Sequence, residues 1–251
     1  WAVTRERERG GRAWRRSFTH FYRVPVRTER HVVEQNLDAL RRIGIQPSQA
    51  DRGLVLVPGP AAEARVRDML AAHGVAPFEF VQVHPGSRWL FKCWPAERTA
   101  ELVDLVVSDG LAVVLTGAPD DRERALVTAV LAAVRPASRP RVVDLTGALT
   151  LAELAALTKV ARAFAGVDSA PMHIAAAVGT PSVALFGPSS ELAWGPWRTP
   201  HRVVVSGDFP CRPCGLDGCG GGKVSECLTT LPVERVHGAF TDLLAQTRAG
   251  A

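Results

Sequence analysis

Two short stretches combine residue types that bind anionic ligands. Residues 166–187, GVDSAPMHIAAAVGTPSVALFG, place an aspartate, a serine and a proline at the start of an alanine-rich helix between two apolar strands. Asp168 or Ser169 suits the N-cap, and Pro171 suits the first turn, where its missing N–H costs nothing. The exposed N–H groups and the dipole of such a helix favour an anion such as a diphosphate. His173 follows one turn into the same helix.

The second stretch, HPGSRWLFKCWP over residues 84–95, adds a cation. Ser87 offers backbone and hydroxyl donors after a strand end, and Lys92 is one of only three lysines in the chain. Neither stretch has the spacing of a P-loop, and no G-x-G-x-x-G follows a strand, so a nicotinamide dinucleotide fingerprint is absent. The structural alternative is an ordinary capped helix with a packed histidine and a surface lysine.

The elements that carry these stretches alternate in a regular order from residue 78 onward. Strands are predicted over 78–84, 111–117, 141–147, 162–167 and 181–187, and helices over 94–110, 120–134, 150–161, 170–179 and about 232–247. Thr150 and Glu153 have the spacing of a capping box. Continuous apolar strands between amphipathic helices indicate a doubly wound α/β fold with a parallel sheet covered on both faces. Ligands bind such sheets beyond the carboxyl ends of the strands, so the site is expected among four loops that follow strands: HPGSRWLFK, TGAPDD, DLTGALT and GVDSAPMH.

The first 77 residues follow a different pattern. A helix is predicted over 29–44, a strand over 53–58, a helix over about 61–73 and a linker over 73–78. These elements are too few for a complete second α/β domain. We therefore expect a partial N-terminal α/β domain over 1–77 and a complete C-terminal Rossmann-like domain over 78–251.

The positive charge of the chain is local. The formal net charge is +5, and residues 1–30 alone hold nine arginines against three glutamates. These arginines are Arg5, Arg7, Arg9, Arg12, Arg15, Arg16, Arg23, Arg27 and Arg30. Such a segment can attract nucleic acid, an anionic membrane face or a phosphorylated substrate. No aromatic-interleaved nucleic-acid motif accompanies it, so no nucleic-acid partner is expected and a solvated basic surface is slightly favoured.

Four of the five cysteines lie in one glycine-rich loop with the spacing C-x2-C-x4-C-x7-C, and Cys93 stands alone. The four are Cys211, Cys214, Cys219 and Cys227. Clustered thiols suit a structural zinc or a cluster, whereas this spacing matches no standard zinc pattern, so reduced and unligated thiols are an equal alternative.

Four blocks of sequence together resemble the donor-binding half of glycosyltransferase family nine, the bacterial ADP-heptose–lipopolysaccharide heptosyltransferases. They are HPGSRWLFKCWP, VVLTGAPDDRE, DLTGALTLAELAAL and GVDSAPMHIAAAVGTPSVALFGPS, in the family's order over roughly residues 78–200. WLFKCWP is most similar to the heptosyltransferase III-type branch, and HVVEQNLDALRRIGI over 31–45 resembles the helix that closes the family's acceptor domain. The resemblance implies a GT-B architecture, in which two Rossmann-like domains face a cleft and the C-terminal one holds the nucleotide-sugar.

By motif position, the resemblance implies seven donor-binding residues: Ser87, Lys92, Asp144, Asp168, Ser169, Ala170 and His173. The serine and lysine of the first block would contact the diphosphate or the adjoining ribose, and Asp144 would bind the ribose. Asp168 would hold heptose hydroxyls, the two residues after it would give backbone N–H groups to the diphosphate, and His173 would lie near the phosphates. The family reaction requires no metal and no other cofactor.

The resemblance also implies an inverting displacement, in which a base deprotonates an acceptor hydroxyl and ADP leaves. The family's base is an aspartate in a loop near the start of the N-terminal domain, and no such loop follows Trp1. Asp38 and Asp51 lie in the wrong context to replace it. We therefore expect a partial chain, without the family's catalytic aspartate, that holds the donor and transfers sugar inefficiently.

The expected function is heptose transfer from ADP-heptose to the inner core of lipopolysaccharide. The basic segment would face the phosphorylated, membrane-embedded acceptor, which gives a cytoplasmic protein with peripheral contact at the inner membrane. The alternatives are a non-catalytic nucleotide-sugar-binding fragment and a glycosyltransferase that uses another nucleotide-sugar.

Overall fold

A computed structural model describes residues 2–6, 11–24 and 29–248 of the chain. It divides into two units, Trp1–Gly53 with Glu191–Gly195, and Leu54–Ser190 with Pro196–Ala251. The strands are β1 (Val3–Arg5), β2 (His20–Tyr22), β3 (Phe80–His84), β4 (Ala112–Leu115), β5 (Val142–Asp144), β6 (Ala163–Val167), β7 (Ser182–Phe186) and β8 (His201–Val205). The α-helices are α1 (Arg12–Arg16), α2 (Val32–Arg42), α3 (Pro60–Ala72), α4 (Ala96–Ser108), α5 (Asp121–Ala133), α6 (Leu151–Lys159), α7 (Ala170–Val178), α8 (Glu191–Trp194), α9 (Glu226–Thr229) and α10 (Val233–Arg248).

In the first unit, α2 packs against the parallel pair of strands β1 and β2. A network of ion pairs covers this helix. Asp38 bonds Arg30 at 2.8 Å and Arg41 at 2.7 Å, while Glu34 bonds Arg41 at 2.6 Å and Arg52 at 3.1 Å. The hydrogen bonds from Arg30 and Arg41 hold the pKa of Asp38 below its usual value. Asp38 is therefore engaged in ion pairs with two arginines, which agrees with its exclusion as a catalytic base.

Ion pairs also neutralise part of the basic segment. Glu6 accepts from Arg15 at 2.9 Å and from Arg23 at 2.7 Å. Arg15 lies over the ring of Phe21, which packs in turn against Trp14. Three of the predicted basic residues lie outside the described residues: Arg7, Arg9 and Arg27. No helix in the described part of the chain is both long and apolar enough to cross a membrane.

His31 caps α2 with its imidazole ring. Nδ1 accepts the N–H of Val33 at 3.2 Å, and Nε2 lies 2.8 Å from the carbonyl oxygen of Gly195. The first contact needs an unprotonated Nδ1 and the second needs a proton on Nε2, so the ring is neutral in this arrangement. Burial lowers the pKa of His31, which favours the same neutral form.

We expect His31→Asn to reduce the loss of stability on mild acidification. The unfolded chain protonates this histidine at an ordinary pKa of about 6.5, so the wild-type fold loses stability as pH falls through that value. Asparagine also caps helices but does not titrate. Urea unfolding at about pH 7.5 and about pH 5.5 measures the difference for both proteins. An equal loss in wild type and variant would contradict the neutral-ring assignment.

The second unit is built on a six-stranded sheet in the order β5-β4-β3-β6-β7-β8, with every neighbouring pair parallel. The order reverses between β3 and β6, so the predicted doubly wound α/β fold is confirmed. Every residue of β3, β6 and β7 is buried, as expected for strands covered on both faces.

Helices cover the two faces of this sheet because side chains along each strand alternate in direction. Val81 and Val83 point into the core formed with α4, α5 and α10, and Phe80 points into the core formed with α3 and α6. Within that second core, Val66 and Leu70 of α3 are buried. By its contacts α3 belongs to the second unit, so the division after Gly53 comes earlier than the predicted boundary at 77 and 78. The acceptor-side role of residues 1–77 stays a prediction.

The predicted elements from residue 78 onward all form, with ends within three residues of those predicted. The capping box is also confirmed, because Thr150 Oγ1 accepts the N–H of Glu153 while Glu153 Oε2 accepts the N–H of Thr150. The predicted strand over 53–58 is wrong. Val55 and Val57 are 87% and 78% exposed, and this run pairs with no described strand. An apolar run forms a strand only where a neighbouring strand hydrogen-bonds to its backbone.

Candidate functional site

The two stretches singled out above leave the sheet side by side. β3 and β6 are adjacent, and His84 pairs with Gly166 in their register. A Cβ atom on Gly166 would lie 2.8 Å from the carbonyl oxygen of His84, so this close approach requires glycine. The loop after β3 and the start of α7 are therefore neighbours at the point where the strand order reverses.

Lys92 and Asp168 join these two segments. Lys92 Nζ lies 2.7 Å from Asp168 Oδ2, and the side chains are 22% and 8% exposed. The N–H of Asp168 donates to the carbonyl of Leu185 at 3.2 Å, which ties the segment to β7. A carboxylate this buried needs a cation or several hydrogen bonds to offset its lost hydration. The pair therefore holds an ammonium group at Asp168, one residue before the N-cap of α7.

Helix α7 begins without a side-chain cap. Ser169 occupies the predicted N-cap position, but its hydroxyl donates to the carbonyl of Val167 at 3.3 Å and accepts nothing from the first turn. Pro171 lies in the first turn, as predicted, and Ala170 is exposed. Pro171 has no N–H, and the N–H of Met172 donates to the carbonyl of Ser169 at 3.2 Å, so the N–H of Ala170 is the donor of the first turn best suited to an anion.

The loop after β3 wraps around a half-buried thiol. Cys93 receives a hydrogen bond from the backbone of Ser87, and burial raises the pKa of the Cys93 thiol to about 12, so it stays protonated. Ser87 is itself buried, and its hydroxyl oxygen accepts the N–H of Trp89 at 3.4 Å. An open groove of about 510 Å³ lies between Ser87 and the turn over 118–123. This groove provides room beside the predicted phosphate contacts.

The structure places six of the seven predicted donor-binding residues after the carboxyl ends of the adjacent strands β3 and β6. They are Ser87, Lys92, Asp168, Ser169, Ala170 and His173. Asp144 lies elsewhere, at the end of the outermost strand β5, where its exposed carboxylate accepts the N–H of Thr146 at 2.9 Å. Its proposed contact with a ribose stays a prediction.

A buried polar cluster beneath this site was not predicted from the sequence. His84, Thr116, Glu123 and Gln82 are all buried, and together they are called the β3–α5 cluster here. A glutamine and a histidine within the apolar run FVQVH were the available signal, because buried polar groups need partners.

The cysteine-rich loop docks on the residues that follow β7. Arg212 Nε donates to the carbonyl of Gly187 at 2.6 Å, and the N–H of Gly215 donates to the carbonyl of Pro188 at 2.9 Å. The four cysteines carry free thiols, and of these Cys227 alone is buried. Among the described residues no three His, Cys, Asp or Glu side chains are grouped to hold a metal. Both alternatives, a bound metal and reduced thiols, stay predictions.

Asp51, the second aspartate considered as a replacement base, is also engaged. Its Oδ2 accepts both the N–H and the hydroxyl of Ser48, at 2.9 Å and 2.7 Å. These hydrogen bonds lower the pKa of Asp51 and hold it in a local turn.

Comparison with known proteins points to one family. The profile of glycosyltransferase family 9 (heptosyltransferase) matches residues 2–224. Lipopolysaccharide heptosyltransferase 3 of Escherichia coli is 38% identical over 200 residues, which cover 80% of this chain and 56% of that protein.

Solved structures show the same fold. The family 9 glycosyl transferase of Veillonella parvula DSM 2008 has a TM-score of 0.77 at 24% identity, over 94% of this chain and 66% of that one. The E. coli ADP-heptose lps heptosyltransferase II has a TM-score of 0.69 at 23% identity, over 90% of this chain and 66% of that one. The chain thus spans between 56% and 66% of the length of these proteins.

Proposed function

The chain belongs to glycosyltransferase family 9, the heptosyltransferase family, and from this membership we propose that it forms the donor-binding part of an enzyme that transfers heptose from ADP-heptose to lipopolysaccharide. The names of the similar proteins support the donor and the acceptor. The observation that carries the donor site is the Lys92–Asp168 pair beside the uncapped start of α7.

The pair and the helix together suit a nucleotide diphosphate. Lys92 offers a charge-assisted hydrogen bond to a phosphate oxygen, and the N–H of Ala170 at the positive end of the helix dipole offers a neutral one. When the ammonium turns to the phosphate, Asp168 is left as an acceptor for the hydroxyl groups of the sugar. The groove beside Ser87 leaves space for the nucleoside.

We further propose an inverting, metal-independent reaction. The acceptor hydroxyl attacks the anomeric carbon on the face opposite the diphosphate, and the bond between that carbon and the phosphate oxygen breaks with its electron pair on ADP. Lys92 and the amides of α7 stabilise this negative charge as it develops. The hydroxyl proton passes to a base, a role that we assign to no described residue.

The inner core as acceptor and the cytoplasmic face of the inner membrane as location are part of the same proposal. The name of the E. coli relative supports lipopolysaccharide as the acceptor, and the arginine surplus in residues 1–30 supports the location. A basic surface gains affinity for phosphorylated lipid headgroups through charge attraction.

Calorimetric titration of the purified chain tests the proposal. We expect ADP and ADP-heptose to bind at one site, with affinity unchanged by EDTA, and UDP-sugars to bind more weakly. Binding of none of these ligands would contradict the proposed function. Equal affinity for a UDP-sugar would instead support a different donor.

A further inference from the structure

The β3–α5 cluster links the end of β3 to the start of α5 through one carboxylate. Glu123 Oε2 accepts the N–H of Ala118 at 2.7 Å and lies 3.5 Å from Nε2 of His84. The other ring nitrogen of His84 lies 2.9 Å from the hydroxyl of Thr116, which accepts from Gln82 at 3.1 Å. All four side chains are buried, so each contact forms away from bulk water.

The proton positions follow from these contacts. The amide of Gln82 donates to Thr116, so the Thr116 hydroxyl proton is free to point at Nδ1 of His84. Nε2 of His84 faces Glu123 on the other side of the ring, at 3.5 Å. This directed chain ends on an ionised carboxylate, and the contact with His84 is the main cause that lowers the pKa of Glu123.

The same carboxylate lies directly under the loop that carries Ser87 and Lys92. A Cβ atom on Gly86 would lie 2.6 Å from both Cδ and Oε2 of Glu123. Glu123 also lines the open groove together with Ser87. The backbone of the loop therefore rests on Glu123 one residue before the predicted phosphate contact.

We propose that Glu123 is a positioning residue for the donor site: held by the N–H of Ala118 and by His84, it fixes the loop over 85–93 so that Ser87 and Lys92 meet the phosphate groups of the donor. The link to the donor rests on the proposed function. The proposal that Glu123 orders the loop over 85–93 does not depend on the proposed function.

The direction of the change in ADP affinity distinguishes positioning by Glu123 from the electrostatic effect of its charge. Removing a carboxylate near a phosphate site lowers repulsion, so electrostatics alone predicts tighter ADP binding in Glu123→Ala. Positioning predicts weaker binding, because the loop must then be ordered when the ligand binds. We expect the affinity for ADP to fall about tenfold, or about 1.4 kcal/mol. Glu123→Gln keeps an oxygen acceptor in place and should recover most of this loss.

A matched control is Asp242→Ala, which removes an exposed carboxylate from α10, away from both the cluster and the groove beside Ser87. Calorimetry with ADP should give an affinity for this variant within about twofold of wild type. Tighter or unchanged ADP binding in Glu123→Ala would overturn the proposal. Circular dichroism at the titration temperature checks that each variant is folded.

Amide hydrogen exchange tests the loop without any ligand. In Glu123→Ala we expect faster exchange over residues 85–93, with wild-type rates in Glu123→Gln and Asp242→Ala. Unchanged exchange in the alanine variant would overturn the proposal even if ADP binding fell. If wild type bound no ADP at all, the proposed function would fail while the exchange result still decided whether Glu123 orders the loop.

Discussion

Ala170→Asp is expected to weaken ADP binding by at least about a hundredfold while leaving the fold as stable as before or slightly more so. The new carboxylate stands at the first position of α7, where the predicted diphosphate binds. Two charges about 5 Å apart near a protein surface repel by about 3 kcal/mol, which corresponds to two orders of magnitude in affinity. The same carboxylate is favourable for the helix, since it lies at the positive end of the dipole.

The control for this prediction is Ala170→Asn, which has nearly the shape of aspartate without its charge. Calorimetry should show a far smaller loss of ADP affinity in this variant, and urea unfolding should show both proteins to be folded. Because Ala170 is exposed, neither side chain disturbs the core. Equal ADP affinity in the two variants would remove the start of α7 from the diphosphate site.

Lys92→Ala is expected to weaken ADP binding by about 1.5–3 kcal/mol, the range for a lost charge-assisted hydrogen bond. The variant also leaves the buried carboxylate of Asp168 without its cation, which should lower the free energy of unfolding by about 1–3 kcal/mol. Calorimetry and urea unfolding measure the two losses separately.

Two further variants separate binding from stability. Adding Asp168→Asn to Lys92→Ala removes the unpaired charge, so stability should recover while ADP affinity does not. Lys159→Ala is the matched control, because Lys159 pairs with Glu63 at 2.8 Å on an exposed surface. In Lys159→Ala the free energy of unfolding should fall by less than about 1 kcal/mol, and the affinity for ADP should not change. Wild-type ADP affinity in Lys92→Ala would exclude Lys92 from the site.

The sheet and its helices were largely predictable, because their signals are local. Apolar runs such as the one in β7 and the capping box at Thr150 depend on residues close together in sequence. The strand predicted over 53–58 failed for the opposite reason. Whether an apolar run pairs depends on a distant sheet edge, which local sequence does not specify. The same dependence hid β8, which forms the edge beside β7.

The candidate site was predictable in its position but not in its contacts. Parallel strands deliver their following loops to one edge, so Lys92 and Asp168 were expected to be neighbours. Their direct pairing and the support of the loop by Glu123 involve residues far apart in the chain. Side-chain geometry of this kind arises from packing between elements, and no pattern along the chain encodes it.

The ammonium–carboxylate pair has a consequence for selectivity under the proposed function. A lone anion gains little from an ammonium group that is already paired, because drawing the ammonium away leaves the buried carboxylate of Asp168 without a cation. A molecule that carries both a negative group and hydroxyl donors can pair with the ammonium and the carboxylate at the same time. Under the proposed function, the Lys92–Asp168 pair would therefore favour an intact activated sugar over inorganic phosphate.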